Sequence, residues 1–128
     1  MLRAVLYVCS AIAMLLWHSR AYGASVDFQR EIRPILSQNC FLCHGPDENE
    51  RKGGLRLDVR EDALRPAKSG ERAIVPAKPD QSQLLARIDH SDPDEQMPPA
   101  KSGKKLSSRE IELLRAWVEE GAPYATHW

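Results

Sequence analysis

No second C-x-x-C pair and no H-x3-5-H run occurs in the chain. The four N/S donors that a structural zinc site collects are therefore missing. No apolar run reaches the roughly 18 residues needed to cross a bilayer; Ala4 to Trp17 comes nearest and falls short. Excess charge is also missing, since 18 Lys and Arg stand against 18 Asp and Glu. With no basic patch there is no footprint for nucleic acid, and with no block of like charge there is no acidic or basic tail. No repeat or low-complexity segment is present. Aromatic residues make up only 6% of the chain, so few large side chains are on hand to fill a core. A small domain with so thin a core usually needs a staple.

The chain does contain Cys40-Phe41-Leu42-Cys43-His44. This C-x-x-C-H run is the attachment signature of a c-type haem. Two thiols must each add across a vinyl group on one edge of a porphyrin, and residues three apart share a helix face. His44 follows at once, so the anchored backbone holds its imidazole as the proximal iron ligand. Phe41 and Leu42 are apolar, which suits a site against a macrocycle. Other uses of the pair stay open: a redox-active dithiol, half of a zinc site, or a plain disulfide. The segment before Cys40 reads as helix, whereas a thioredoxin-type dithiol follows a strand. A covalent haem would also serve as the staple.

Residues 1–23 read as a secretory signal peptide. Arg3 gives the positive start, Ala4 to Trp17 the apolar stretch, and Ala21-Tyr22-Gly23 small residues at the cleavage site. Cleavage is expected after Gly23; an uncleaved anchor is the alternative. Cys9 leaves with the leader, and both remaining cysteines lie in the motif. Loss of Arg3 and Arg20 takes the basic count from 18 to 16 against 18 acidic, a net charge of −2. Covalent haem attachment belongs on the outer side of the bacterial inner membrane, so export and the motif support one another. The protein is expected in the periplasm or cell envelope, with no membrane span once the leader is gone.

Asp27 is a suitable N-cap for a helix through Phe28, Ile32, Ile35 and Leu36. Pro34 removes a donor inside it, which predicts a kink or restart near Arg33-Pro34. Gly45-Pro46 ends the run after His44. Leu55 to Asp58 alternates as a very short strand or extended stretch would, and Val59 to Leu64 suits a helical turn. Asp80 or Ser82 is the expected cap of a short helix through Leu84, Leu85 and Ile88. The C-terminal helix is the clearest element. Ser107 and Glu110 make a capping box, Leu106 and Ile111 a staple, and Ile111, Leu114, Trp117 and Val118 one apolar stripe. Gly121 and Pro123 close it.

The second face of the iron needs a ligand. Met97 is the one methionine after the leader and stands on the stiff Met97-Pro98-Pro99 segment. A thioether there raises the reduction potential, which suits electron transfer. His90, on a polar acidic loop, is the rival but reads as solvated. His127, at the end, reads as free. An open sixth site would instead admit peroxide or oxygen chemistry. Arg56 reads as exposed, with pairing to a haem propionate as the alternative. Trp117 reads as core rather than as a porphyrin contact.

Cys40 to Gly45, Gly53-Gly54-Leu55-Arg56-Leu57-Asp58, Met97-Pro98-Pro99 and Ala116 to Ala122 stand in order. In that order they resemble the planctomycete cytochrome c module, a class I-like monohaem cytochrome c domain. The resemblance covers nearly all of residues 26–128. It implies an all-α, cytochrome c-like fold of helices and loops around one haem c, with the N- and C-terminal helices packed together. It also implies thioether cysteines Cys40 and Cys43, proximal His44 and distal Met97. One departure is Pro76-Ala77, where the family often has Pro-Gly. In the family the module commonly opens a longer secreted protein, so residues 125–128 read as the start of a linker after a domain at 26–124.

The expected function is single-electron transfer to and from redox partner proteins, with no bond chemistry. The alternatives are a secreted dithiol oxidoreductase using Cys40 and Cys43, with one depressed thiol pKa, and a haem-stapled binding module.

Overall fold

The structure, a computed structural model, describes residues 25–125. The leader and His127 lie outside the described residues. Among these, helices and turns form the fold and no strand is present; a single bridge joins Pro66 and Arg72. The all-α expectation holds at this level. No described helix is long and apolar enough to cross a membrane.

The chain opens with a π-helical stretch, Phe28–Ile32, that runs directly into α1, Arg33–Asn39. Asp27 caps it as expected, its carboxylate accepting from the Arg30 N–H at 2.9 Å. The predicted break at Pro34 takes the form of a widened turn. The Arg33 N–H reaches back five residues to the Phe28 carbonyl. A proline ring crowds the carbonyl four residues before it, and one wide turn relieves that crowding without ending the helix.

Three further helices follow: α2, Arg60–Ala63; α3, Gln83–Ile88; and α4, Ser108–Glu119. Short 3-10 turns lie at Pro79–Gln81 and Ala100–Ser102. The capping box of α4 is formed. The Ser107 hydroxyl accepts from the Glu110 N–H at 3.2 Å, and the Glu110 carboxylate accepts from the Ser107 N–H at 2.7 Å.

Two local expectations change. Leu55 to Asp58 forms no strand; Leu57 instead donates its N–H to the His44 carbonyl at 2.8 Å. Ser82 stands at the N-cap of α3 but does not cap it. Its hydroxyl, 2% exposed, accepts from the Val75 N–H and donates to the Lys78 carbonyl, both at 2.9 Å. A buried hydroxyl takes whichever partners satisfy it best, and here they belong to the preceding loop.

Ala77 holds φ at +61°, a left-handed conformation that favours glycine. The family's usual Pro-Gly at this place is thus matched in geometry, at the expense of a Cβ in a strained position. The Ala77 N–H is tied to the Val118 carbonyl at 2.8 Å.

Ile32, Leu36, Leu57, Ile74, Leu114, Trp117 and Val118 are the largest apolar side chains removed from water. Around Trp117 the sparse aromatics are pooled. Phe28 lies 5.8 Å from Trp117 and 4.6 Å from Tyr124, centroid to centroid, and Trp117 lies 5.2 Å from Tyr124. Tilted pairs of this kind add about 0.5–1.5 kcal/mol each beyond area burial. The cluster joins the N-terminal helical segment to α4, so the first and last described helices pack together. Trp117 is core, and its Nε1–H donates to the Pro123 carbonyl at 2.9 Å.

Candidate functional site: the Cys40–His44 turn

Helix α1 ends at Asn39, and Cys40 leaves the helix at φ −123° and ψ −37°. The motif is therefore a separate turn appended to α1 rather than the last turn of the helix itself. Its closure is local: Cys43 and His44 both donate their N–H to the Cys40 carbonyl, at 3.2 and 2.8 Å. This five-residue turn brings Cys40, Cys43 and His44 together.

The loop after the turn is pinned at four points. Lys52 N–H reaches the Cys43 carbonyl and Leu57 N–H the His44 carbonyl, each at 2.8 Å. Arg51 donates Nε–H to the Gly45 carbonyl at 3.0 Å and a terminal N–H to the Pro46 carbonyl at 2.8 Å. Gly45 is buried under Phe41, and a Cβ on it would lie 2.2 Å from the Phe41 carbonyl oxygen. No side chain fits there, so glycine is demanded by close approach.

Both cysteines are free thiols. Cys40 is buried among the core residues while Cys43 is half-buried. Burial pushes the Cys40 thiol up to about 11; the Lys104 charge opposes this in part and Cys43 adds to it. A reactive dithiol needs a depressed thiol pKa, and Cys40 moves the other way. Leu42, between the cysteines, is 64% exposed and points its apolar surface outward. Among the described residues no three His, Cys, Asp or Glu side chains cluster closely enough to hold an ion.

His44 is half-buried, and burial lowers its pKa, with the Lys52 backbone opposing the shift. A lowered pKa keeps the imidazole neutral, the form in which it ligates a metal. Its Nδ1 is buried with no hydrogen bond of good geometry. A buried polar atom without a partner is uncommon in a finished fold. The donor set on this turn, two free thiols beside a neutral and incompletely satisfied imidazole, fits a c-type haem.

Met97 lies on the loop between α3 and the Ala100–Ser102 turn. It is half-buried, and its N–H donates to the Arg87 carbonyl at 2.9 Å. Gln96 N–H reaches the Asp92 carbonyl at 3.0 Å, and Arg87 pairs with Glu95. No hydrogen bond ties the loop to the His44 turn. His90 is exposed, and its Nδ1 accepts from the Asp92 N–H at 3.1 Å, folding it onto its own loop.

Arg56 is not the exposed arginine expected from sequence. It is half-buried and grips Asp58 with two parallel N–H bonds, at 3.0 and 2.5 Å. Burial works against the Asp58 charge and is the largest single effect, but the Arg56 hydrogen bond, Asp58's own backbone N–H and the Arg56 and Arg51 charges together outweigh it and hold the carboxyl below its ordinary value. Arg56, Arg51 and Arg65 line a cleft of about 200 Å³ with Gly54, Leu55 and Asp62.

Several residues that shape the site gave no signal in sequence. Arg51 sits in a polar run that reads as solvated loop. Arg60 donates toward the Ala122 and Gly121 carbonyls, at 3.3 and 3.5 Å, just past the end of α4. Tyr124 donates its hydroxyl to the Leu57 carbonyl at 2.9 Å. These last contacts join residues more than sixty positions apart, beyond the reach of any local pattern.

A family model described as Planctomycete cytochrome C matches residues 40–101. The matched span contains the Cys40–Gly45, Gly53–Asp58 and Met97–Pro99 motifs; the Ala116–Ala122 motif lies beyond it. No curated protein and no solved structure matches the chain. Over residues 40–101 the chain is thus similar to the planctomycete cytochrome c family.

Proposed function

We propose that this chain is an exported monohaem c-type cytochrome domain that carries single electrons between redox partner proteins. The observation that carries the reading is the Cys40–His44 turn, which sets two free thiols and a partly buried imidazole on five consecutive residues. In this reading Cys40 and Cys43 would hold one haem c by thioether bonds, and His44 and Met97 would ligate its iron. The haem supplies a one-electron couple when bound.

The protein's own share is positioning and exclusion of water. The turn fixes the thiols and the imidazole relative to one another, and the Arg51 and Leu57 hydrogen bonds fix the turn. Burial of Cys40 and Gly45 shields that side from solvent. The exposed Leu42 leaves an apolar edge at the surface beside the attachment point, where electrons would enter and leave. The exposed His90, folded onto its own loop, favours Met97 over it as the sixth ligand. The periplasm or cell envelope is the proposed location, reached through the leader at residues 1–23.

The test is a haem-stained denaturing gel of the exported protein beside its Cys40→Ala, Cys43→Ala double variant. Wild type should retain haem through denaturation and the double variant should lose all of it. A double variant that still carries covalent haem would refute the attachment.

A further inference from the structure

Leu57 is 1% exposed, and its backbone is bonded on both sides. Its N–H donates to the His44 carbonyl at 2.8 Å, and its C=O accepts from the Tyr124 hydroxyl at 2.9 Å. Two hydrogen bonds through one residue therefore run from the end of the described chain to the histidine of the Cys40–His44 turn. Tyr124 is itself fixed: its ring packs on Phe28 and Trp117, at 4.6 and 5.2 Å. Burial raises its pKa, with nearby Asp58 adding to the shift, so the hydroxyl keeps the proton it donates. Arg60 holds the same segment from beside it, at the Ala122 and Gly121 carbonyls.

A rotating tyrosine on solvent-exposed chain would position nothing. Here the ring cannot turn away, because two aromatic neighbours hold it. The Leu57 peptide cannot shift, because its side chain fills the core. The His44 carbonyl is thus located by the aromatic cluster, not by the motif turn alone. We propose that Tyr124 is a positioning residue for the candidate axial histidine, its hydroxyl fixing the carbonyl of Leu57, the residue whose N–H sets the His44 backbone.

The proposal rests on the haem reading above, and the experiment separates the two. Haem-loaded wild type and Tyr124→Phe are compared for haem content, far-UV circular dichroism, exchange of the Leu57 amide and midpoint potential. Phenylalanine keeps the ring in its cluster and deletes only the hydroxyl. The Leu57 carbonyl then lacks its partner. Exchange at Leu57 should quicken by about tenfold, the scale of one lost buried hydrogen bond, and the midpoint potential should shift while haem content and helicity stay as in wild type. A Ser107→Ala variant, which removes the α4 cap and lowers stability without touching the Tyr124 segment, should leave the potential unchanged. An unchanged potential in haem-loaded Tyr124→Phe, or an equal shift in Ser107→Ala, would overturn the proposal and leave the haem reading standing. A colourless wild type would instead overturn the haem reading, and this proposal with it.

Discussion

The two candidate iron ligands sit in differently built parts of the molecule. His44 lies on a turn closed on itself by the Cys40 carbonyl and pinned by Lys52, Leu57 and Arg51. Behind it stand Cys40 and Gly45, both buried, and through Leu57 and Tyr124 it reaches the aromatic cluster. Met97 hangs on a mostly exposed loop tied to α3 through Arg87, whose carbonyl accepts from the Met97 N–H and whose guanidinium pairs with Glu95. On the proposed reading, the more densely bonded side is the one that would hold the porphyrin during covalent attachment. The other side carries fewer bonds, as would suit a ligand that tunes the iron and does not anchor it. Changes on the His44 side should cost stability and attachment together, whereas changes on the Met97 side should alter the potential and spare attachment.

The largest effect is expected where the rigid side meets the core. Trp117→Ala removes the centre of the aromatic cluster and should destabilise by about 3–5 kcal/mol, the usual range for a fully buried large aromatic. Thermal unfolding of the haem-loaded protein measures it. A loss under about 1 kcal/mol would mean that the cluster does not support the His44 side. Gly45→Ala forces a Cβ against the Phe41 carbonyl oxygen. Overpacking of that kind costs roughly 1–3 kcal/mol, and haem yield should fall with it. Normal yield and stability would show that the turn is looser than its hydrogen bonds imply.

Met97→Ala probes the lightly held side. Covalent haem should be retained at the wild-type level, the midpoint potential should fall with loss of the thioether, and added imidazole should bind the freed site. An unchanged potential would refute Met97 as the ligand. The smallest effect belongs outside both sides. Ala77→Gly relieves a Cβ at φ +61° and should raise stability by up to about 1 kcal/mol with no change in potential. A shift in potential there would blur the contrast between the two sides.

Much of the fold was legible because its signals are local. The Asp27 cap, the break at Pro34, the Ser107–Glu110 box and the stripe through Trp117 each depend on residues within a turn or two of one another. The C-x-x-C-H turn is local as well, which is why Cys40, Cys43 and His44 come out of the sequence already grouped. Other features depend on what the fold brings alongside. Ser82 was legible as a cap by type and position, yet nearby backbone from the previous loop claims its hydroxyl. Arg56 reads as a solvated charge until Asp58 is seen to lie within its reach. Tyr124 and Arg60 act across more than sixty residues of chain, and no periodicity records that. Met97 is intermediate: the prolines beside it mark a special backbone, but its distance in sequence from His44 gives no pairing.

The central claim is that Cys40 and Cys43 hold a haem whose iron His44 ligates. Its most direct test is the pyridine haemochrome spectrum of the purified exported chain after acid–acetone extraction. One haem per chain, with the absorbance band of a haem bound through two thioethers, is expected to remain in the protein. A colourless, iron-free chain from cells able to mature c-type cytochromes would contradict it.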